Sequence, residues 1–386
     1  MQKQATVLRR TMMAVLSGGL LYAYADDLAA PAKAADPVER SAQADFRIVT
    51  LADGLDHPWG MAFLPDGGIL ITERSGTLRL FTDGKLQDGP IDGTPAVAAR
   101  GQGGLLDVAV HPGFAENRLV YLSYAGPGEG GASTEVARGR LDGMALQDVE
   151  VLFRAVPKSG GTGHFGSRLV FDGDGKLFIS LGDRRQIREP QNLGNHIGTV
   201  VRLNDDGSVP EDNPFVGQAD ALPEIFSYGH RNVQGMTLHP ESGQLWAHEH
   251  GPRGGDELNL LKAAANYGWP VITHGIDYSG AIISDKTEAE GMEQPVVYWD
   301  PSIAPSGMAF YDGEMFPQWQ GDLFVGALAH LHLRRLEMEG DKVVGQESLL
   351  VDLGERIRDV RSGPDGYLYV LTDSSDGMLI RLEPAG

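Results

Sequence analysis

Apolar runs of alternating pattern, each broken by a turn of Pro, Asp and Gly, recur six times along this chain. The first copy is Gly60–Thr72, GMAFLPDGGILIT. The second pairs Asp107–Gly113 (DVAVHPG) with Arg118–Tyr124 (RLVYLSY). The third is Arg168–Ser180, RLVFDGDGKLFIS, and the fourth pairs Gly235–Pro240 with Gln244–Ala247. The fifth pairs Gly307–Gly313 with Gly321–Gly326, and the sixth is Asp359–Thr372, DVRSGPDGYLYVLT. Period-two alternation around a tight turn reads as a hairpin. Intervals of roughly 50–70 residues suit four-stranded blades with insertions. Outer strands follow the hairpins, as at Thr77–Phe81 and Thr199–Leu203. The pattern predicts an all-β fold, a six-bladed β-propeller of four-stranded antiparallel blades. Phe46–Leu51 and Met378–Leu382 are placed to share one blade and close the ring. A pair of β-sandwiches is the competing architecture. Helix is scarce, with a short one expected at Asp256–Ala265.

Composition agrees with many short strands, since 52 glycines and 22 prolines favour turns over long helices. The first 25 residues stand apart. Lys3, Arg9 and Arg10 precede an apolar stretch from Thr11 to Tyr22, and Ala23-Tyr24-Ala25 is a cleavage site of the A-x-A type. That is the plan of a secretory signal peptide, the apolar stretch being short for a bilayer span. Residues 26–44, rich in Ala, Asp and Pro, read as a mobile lead-in, and 45–386 as the propeller. The formal net charge of −21 argues against nucleic acid or anionic membranes as partners and makes any arginine cluster informative. With no cysteine there is no disulfide, thiolate metal site or C-x-x-C-H haem attachment. An exported chain of this kind fits a Gram-negative periplasm.

Inner strands of a propeller line a central channel, and loops at one end build the site. The chemistry-bearing residues lie just before or after the inner hairpins. His164, in SGGTGHFGS, has the ordinary pKa of a general base near neutrality, or it caps loop backbone. Gln102 lies in a glycine-rich turn before the second hairpin. Asp183 follows the third hairpin, where an Asp–Arg surface pair is the plain alternative. Arg231 and Asn232, in GHRNVQG, offer donors to charge developing on oxygen, or they brace neighbouring blades. In HEHGPRGGDELN, Asp256 and Glu257 with the carbonyls of Gly251 and Pro252 suit a hard cation such as Ca²⁺, with Tyr267 beyond. The two carboxylates suit a helix N-terminus equally well. His248 and His250, at i and i+2, raise zinc but lack a third nitrogen or sulfur ligand. Arg356 and Arg358, if extended, point the same way toward a polyanion, or else pair with Glu355 and Asp359.

Together GQGGLLD, GHRNVQG, HEHGPRGGDELN with NYGWP, and RIRDV resemble the soluble quinoprotein sugar dehydrogenases, the glucose/sorbosone dehydrogenase family. The likeness runs from about Leu55 to Leu382, and HGIDYSG and DPSIAPSGMAFYDG favour its aldose sugar branch. The resemblance implies pyrroloquinoline quinone (PQQ) bound noncovalently at the channel mouth with Ca²⁺, and oxidation of an aldose at C1 to a lactone. It implies His164 as catalytic base, with Asp183 near it, and Arg231 with Asn232 stabilising negative charge on the cofactor as it is reduced. It implies PQQ contacts from Gln102, Arg231, Asn232, Tyr278 and the run Arg356-Ile357-Arg358. It places calcium at Glu257 and Tyr267, with Asp256 beside them, and at the carbonyls of Gly251 and Pro252. Two departures stand out: Gly163 replaces an Asp before the base, and the run ALAHLH at Ala327–His332 lacks a cofactor-contacting Lys. Ala329, His330 and Leu331 remain as contacts there. Electrons leave to a separate quinone or cytochrome, as no haem motif is present. The rival readings are a calcium-dependent lactone or ester hydrolase, which would work without PQQ, and a non-catalytic binding propeller.

Overall fold

The computed structural model describes residues 38–385. Six antiparallel sheets of four strands succeed one another along the chain, the last carrying one extra edge strand. Blade 1 comprises Pro58–Phe63, Ile69–Glu73, Thr77–Thr82 and Lys85–Leu86. Blade 2 runs from Leu105–Val110 through Leu119–Gly128 and Gly131–Asp142 to Ala145–Arg154. Blade 3 is Leu169–Phe171, Leu177–Ser180, Thr199–Leu203 and Ile225–Tyr228. Blade 4 is Val233–Leu238, Leu245–Glu249, Asp256–Leu260 and Val297–Trp299. Blade 5 is Pro305–Phe310, Leu323–Ala327, His332–Glu339 and Lys342–Leu349. Blade 6 takes three strands from the C-terminal end (Ile357–Ser362, Leu368–Thr372, Gly377–Pro384) and its fourth, Phe46–Leu55, from the other end. Phe46 pairs with Pro384 and Leu55 with Gly377, so the expected closure of the ring holds. The first strands of successive blades touch in order around the circle, blade 6 returning to blade 1. The fold is a six-bladed β-propeller, and the two-sandwich alternative falls.

Of the expected lead-in, 26–37 lies outside the described residues, as does the signal peptide. Val38–Glu39 adds an edge strand on Phe46 and Arg47, and Ser41 Oγ bonds the carbonyl of Ala44 at 2.8 Å.

Six apolar clusters of the core lie one at each interface between adjacent blades, and a smaller seventh gathers Trp59, Leu106, Ala125, Ala132 and Phe165. Second strands such as Ile69–Glu73 and Leu323–Ala327 are therefore buried along their whole length, while outer strands such as Lys342–Leu349 alternate exposed and half-buried positions. Buried hydroxyls tie blade to blade. Thr72 donates to the Leu106 carbonyl, Ser123 to Ser167 at 2.6 Å and Ser180 to Val233 at 3.0 Å. In blade 5 the equivalent second-strand position is Gly326, and Ser306 on the first strand supplies the bond, 2.7 Å to Ile357.

The six repeat starts meet at the centre. Arg168 Nη1 lies 3.1 Å from Asp107 and 3.0 Å from Asp359, and Arg361 binds the same two carboxylates at 3.2 and 3.1 Å. All four are buried or nearly so, and a shared pair of guanidiniums offsets the desolvation of two carboxylates. The remaining three starts are glycines for want of space. A Cβ on Gly60 would stand 2.5 Å from Asp107 Oδ1, and on Gly307 or Gly235 it would collide with Asp359 or His248.

The expected helix at Asp256–Ala265 is not formed. Asp256–Leu260 is the third strand of blade 4, with Leu258 in the interface between blades 4 and 5. Asp256 spends its carboxylate across the chain, on the amides of Gly251, Ile303 and Ala304 and on Ser302, rather than on a helical first turn. Among the described residues, helix is confined to the single turn Phe114–Asn117 and the 3₁₀ turns Pro317–Trp319 and Val351–Leu353.

Candidate active site

At the end of the ring opposite the Pro-Asp-Gly turns, the loops flanking the inner hairpins converge. The Ser159–Gly163 loop enters blade 3 through His164, which is buried and left-handed at φ 56°. Its amide donates to Gln102 Oε1 at 2.7 Å, and Gln102's own amide holds the Thr162 carbonyl at 2.8 Å. Its Nδ1 lies 2.6 Å from Asp183 Oδ1. Asp183 is fixed in turn by the Arg185 amide at 2.8 Å and by Trp269 Nε1 at 3.0 Å. Asp183 as acceptor puts the proton on Nδ1 and leaves Nε2 as a lone-pair base. Burial lowers the His164 pKa, the Asp183 bond opposes that, and the charges of Arg231 and Arg185 reinforce it. The imidazole is therefore neutral, and basic, near neutrality.

Arg231 enters from blade 4. Its Nη1 holds the carbonyls of His250 (2.9 Å) and Gly251 (2.7 Å), and its guanidinium lies 5.4 Å from the centre of the Trp269 ring. Its amide and His230 Nδ1 are both bound by buried Glu249. Asn232 accepts the Gly166 amide at 3.2 Å, tying blades 3 and 4. Arg356 and Arg358 do point the same way, but their partner is Asp373 rather than Glu355 or Asp359. Both reach Asp373 Oδ2, at 3.1 and 2.6 Å, and His57 reaches Oδ1 at 3.2 Å. Buried Arg358 keeps an unpartnered Nε. Burial, with the charges of Arg231, His164 and Arg358, pushes His250 down to about 3. A cavity of about 260 Å³ is lined by His164, Asp183, Arg231, Pro252, Trp269 and Tyr278 among others.

The remaining expected residues divide. Tyr278 stands at the mouth, 70% exposed. Ala329 is held by its amide to Ile303 at 3.0 Å, while His330 and Leu331 form an exposed left-handed turn. Ile357 is core, and its carbonyl serves Ser306. Tyr267 stacks on His230 at 4.6 Å, with its hydroxyl engaged by Leu260 and Lys262, so only its backbone is open to a metal. Glu257, beside Glu249 on the neighbouring strand, is pushed up to about 8 by burial and then by that charge. No cluster of three metal-ligating side chains is gathered among the described residues. His250 Nε2 is spent on the Pro305 carbonyl at 2.6 Å, and among the described residues no third ligand gathers with His248 and His250, which counts against the zinc reading.

A family model described as glucose/sorbosone dehydrogenase matches residues 55–381. The chain belongs to the glucose/sorbosone dehydrogenase family. It is 51% identical over 350 residues to the aldose sugar dehydrogenase YliI of Escherichia coli K12, covering 89% of this chain and 94% of that protein. The apo crystal structure of the soluble aldose sugar dehydrogenase of E. coli matches with a TM-score of 0.86 at 49% identity, over 88% of this chain and 99% of that one. The PQQ-bound aldose sugar dehydrogenase of Streptomyces coelicolor matches with a TM-score of 0.74 at 27% identity, over 89% and 99%. For a member of this family, the residues missing from the sequence reading are Trp269, Asp373 and Glu249. Asp373 had a signal: it follows the inner hairpin of blade 6 just as Asp183 follows that of blade 3.

Proposed function

We propose that this chain oxidises aldose sugars at C1 to lactones, using PQQ with Ca²⁺ and passing the electrons to a separate acceptor. Membership of the glucose/sorbosone dehydrogenase family makes it an oxidoreductase, a quinoprotein sugar dehydrogenase. The observation that carries the reading is the His164–Asp183 pair at 2.6 Å on a cavity that the buried Arg231 also lines. His164 Nε2 takes the proton of the anomeric hydroxyl, and Asp183 stabilises the imidazolium that results. Arg231, pinned by two carbonyls, presents a fixed cation to the same cavity, where it would stabilise negative charge on the reduced cofactor; such preorganised donors are worth ~3 kcal/mol each.

The residues fit PQQ, an anion with three carboxylates. Arg356 and Arg358 share one counter-ion, Asp373, and Arg358 Nε lacks a partner, leaving positive charge unspent in an acidic chain. Arg231, Arg356, Arg358, Gln102, Asn232 and Tyr278 would hold the cofactor, which when bound supplies the two-electron acceptor. They also fit calcium: Glu257 and Glu249 face each other on neighbouring strands, burial and then the Glu249 charge raise Glu257, and a space of about 10 Å³ beside them is lined also by Gly251 and Tyr267. A hard cation there, or at the Gly251 and Pro252 carbonyls, would supply Lewis acidity. Asp256 is an anchor beside that site, its oxygens already engaged. The N-terminal segment supports export to the periplasm, and among the described residues no helix is long and apolar enough to cross a membrane.

The test is dye reduction by the mature protein over a panel of aldoses, with PQQ and Ca²⁺ each added or omitted. Sugar-dependent reduction requiring PQQ supports the reading. Lactone or ester hydrolysis without PQQ, and no dye reduction with it, refutes it.

A further inference from the structure

Nothing so far gives a role to Arg184, which sits between Asp183 and Arg185 and is 5% exposed. Its guanidinium turns back beneath the loop that carries His164. Nη1 donates to the Gly163 carbonyl, and Nη2 to those of Gly161 and, at 3.3 Å, Ala132. The guanidinium carbon lies 3.5 Å from the centre of the Phe165 ring. Burial pushes Arg184 down to about 10, which leaves it charged at neutral pH. Three left-handed residues meet here: His164 at φ 56°, Arg184 at 50° and Arg185 at 60°. Each costs of order 1 kcal/mol, and such strain persists only where neighbouring contacts over-determine it. Gly163 has no slack either, since a Cβ there would lie 3.1 Å from Arg185 Nε and 3.2 Å from Gln102 Oε1.

We propose that Arg184 is a positioning residue for the base: Asp183 grips the His164 ring while Arg184 grips the peptide just before it, so two consecutive residues fix both ends of one side chain. This rests on the proposed role of His164 as base. The glycine-rich loop has few side chains of its own with which to hold its shape, and Arg184 supplies from below the contacts the loop lacks. Without them the peptide at Gly163 is free to shift, the Nδ1 contact with Asp183 lengthens, and Nε2 loses its aim. A displacement of about 1 Å at a catalytic group costs ~10²-fold in rate.

The experiment compares wild type, R184Q and R184K by steady-state kinetics in the PQQ-loaded protein. It also follows the low-field Nδ1 proton of His164 by NMR in the unloaded protein, assigned by its loss in H164Q. R184Q is expected to lose ~10²-fold in kcat with the KM for sugar changed less than about threefold, and to lose the low-field proton. R184K, keeping the charge but not the planar fork, should recover part of both. A folded R184Q with wild-type kcat, or with an unchanged Nδ1 proton, would overturn the proposal. If R184Q does not fold, R184K decides on the same two readouts, wild-type values for both overturning it. The NMR readout needs neither sugar nor cofactor, so it stands even if the dehydrogenase reading fails.

Discussion

Replacing Asp183 with Asn isolates the electrostatics of the base from its packing. The two side chains are isosteric, but Asp183 accepts from three donors: His164 Nδ1 at 2.6 Å, the Arg185 amide at 2.8 Å and Trp269 Nε1 at 3.0 Å. An amide has one oxygen. If that oxygen stays with His164 and the Arg185 amide, the NH₂ group faces the Trp269 N–H, two donors opposed. If it turns to Trp269, the NH₂ group faces His164 and drives its proton to Nε2, abolishing the base. Either outcome leaves a buried group unpaired, a loss of ~1–3 kcal/mol in stability. The wrong tautomer is worth ~10³–10⁴ in kcat, about 4–5.5 kcal/mol. The assay is dye-coupled aldose oxidation at saturating PQQ, with a PQQ titration as control. Asp183 lies on the far side of the imidazole from Nε2, so PQQ affinity should stay within about threefold of wild type. A D183N protein turning over within tenfold of wild type would refute the argument that the base needs the Asp183 charge.

Because burial and Arg231 hold His164 below its ordinary 6.5, kcat/KM should rise with pH along a limb centred below that value and then level; a limb centred above 6.5 would contradict the assignment. Metal-free protein should lose stability as pH climbs, because Glu257 keeps its proton in the fold up to about 8 but releases it near 4.5 when unfolded. Calcium should therefore raise Tm more at about pH 8 than at about pH 5, and E257Q should abolish that difference; a pH-independent calcium effect places the ion elsewhere. In the central channel, R168M leaves Asp107 and Asp359 with Arg361 alone and should cost ~3–5 kcal/mol by denaturant unfolding, whereas a loss under about 1 kcal/mol would mean the channel admits water freely.

The architecture was legible because each hairpin carries its own turn chemistry and each strand its own alternation, both local signals. The helix expected at Asp256–Ala265 failed for the opposite reason. The carboxylate that looked like a helix N-terminus bonds residues some 46–48 positions away, and no local rule reports that. The site was legible as a set of loop positions but not as a network. Asp107, Arg168 and Asp359 were read as markers of a repeat, yet they are the charged plug of the channel. Arg356 and Arg358 were read together from their spacing, but the counter-ion they share lies in the next strand's loop, at Asp373. Arg184 gave no signal, since a buried guanidinium that serves only carbonyls looks in sequence like any surface arginine after a turn.

The central claim is that one mouth of the propeller holds PQQ beside a histidine base that oxidises a sugar. A single-turnover experiment tests it directly. Protein loaded with one equivalent of PQQ is mixed anaerobically with excess aldose, the cofactor absorbance is followed and the product is identified by mass. The account predicts one lactone per bound PQQ, and in H164Q the same PQQ affinity with turnover slowed by ~10³-fold or more. Full-rate turnover in H164Q, or sugar left unoxidised by PQQ-loaded wild type across the aldose panel, would contradict it.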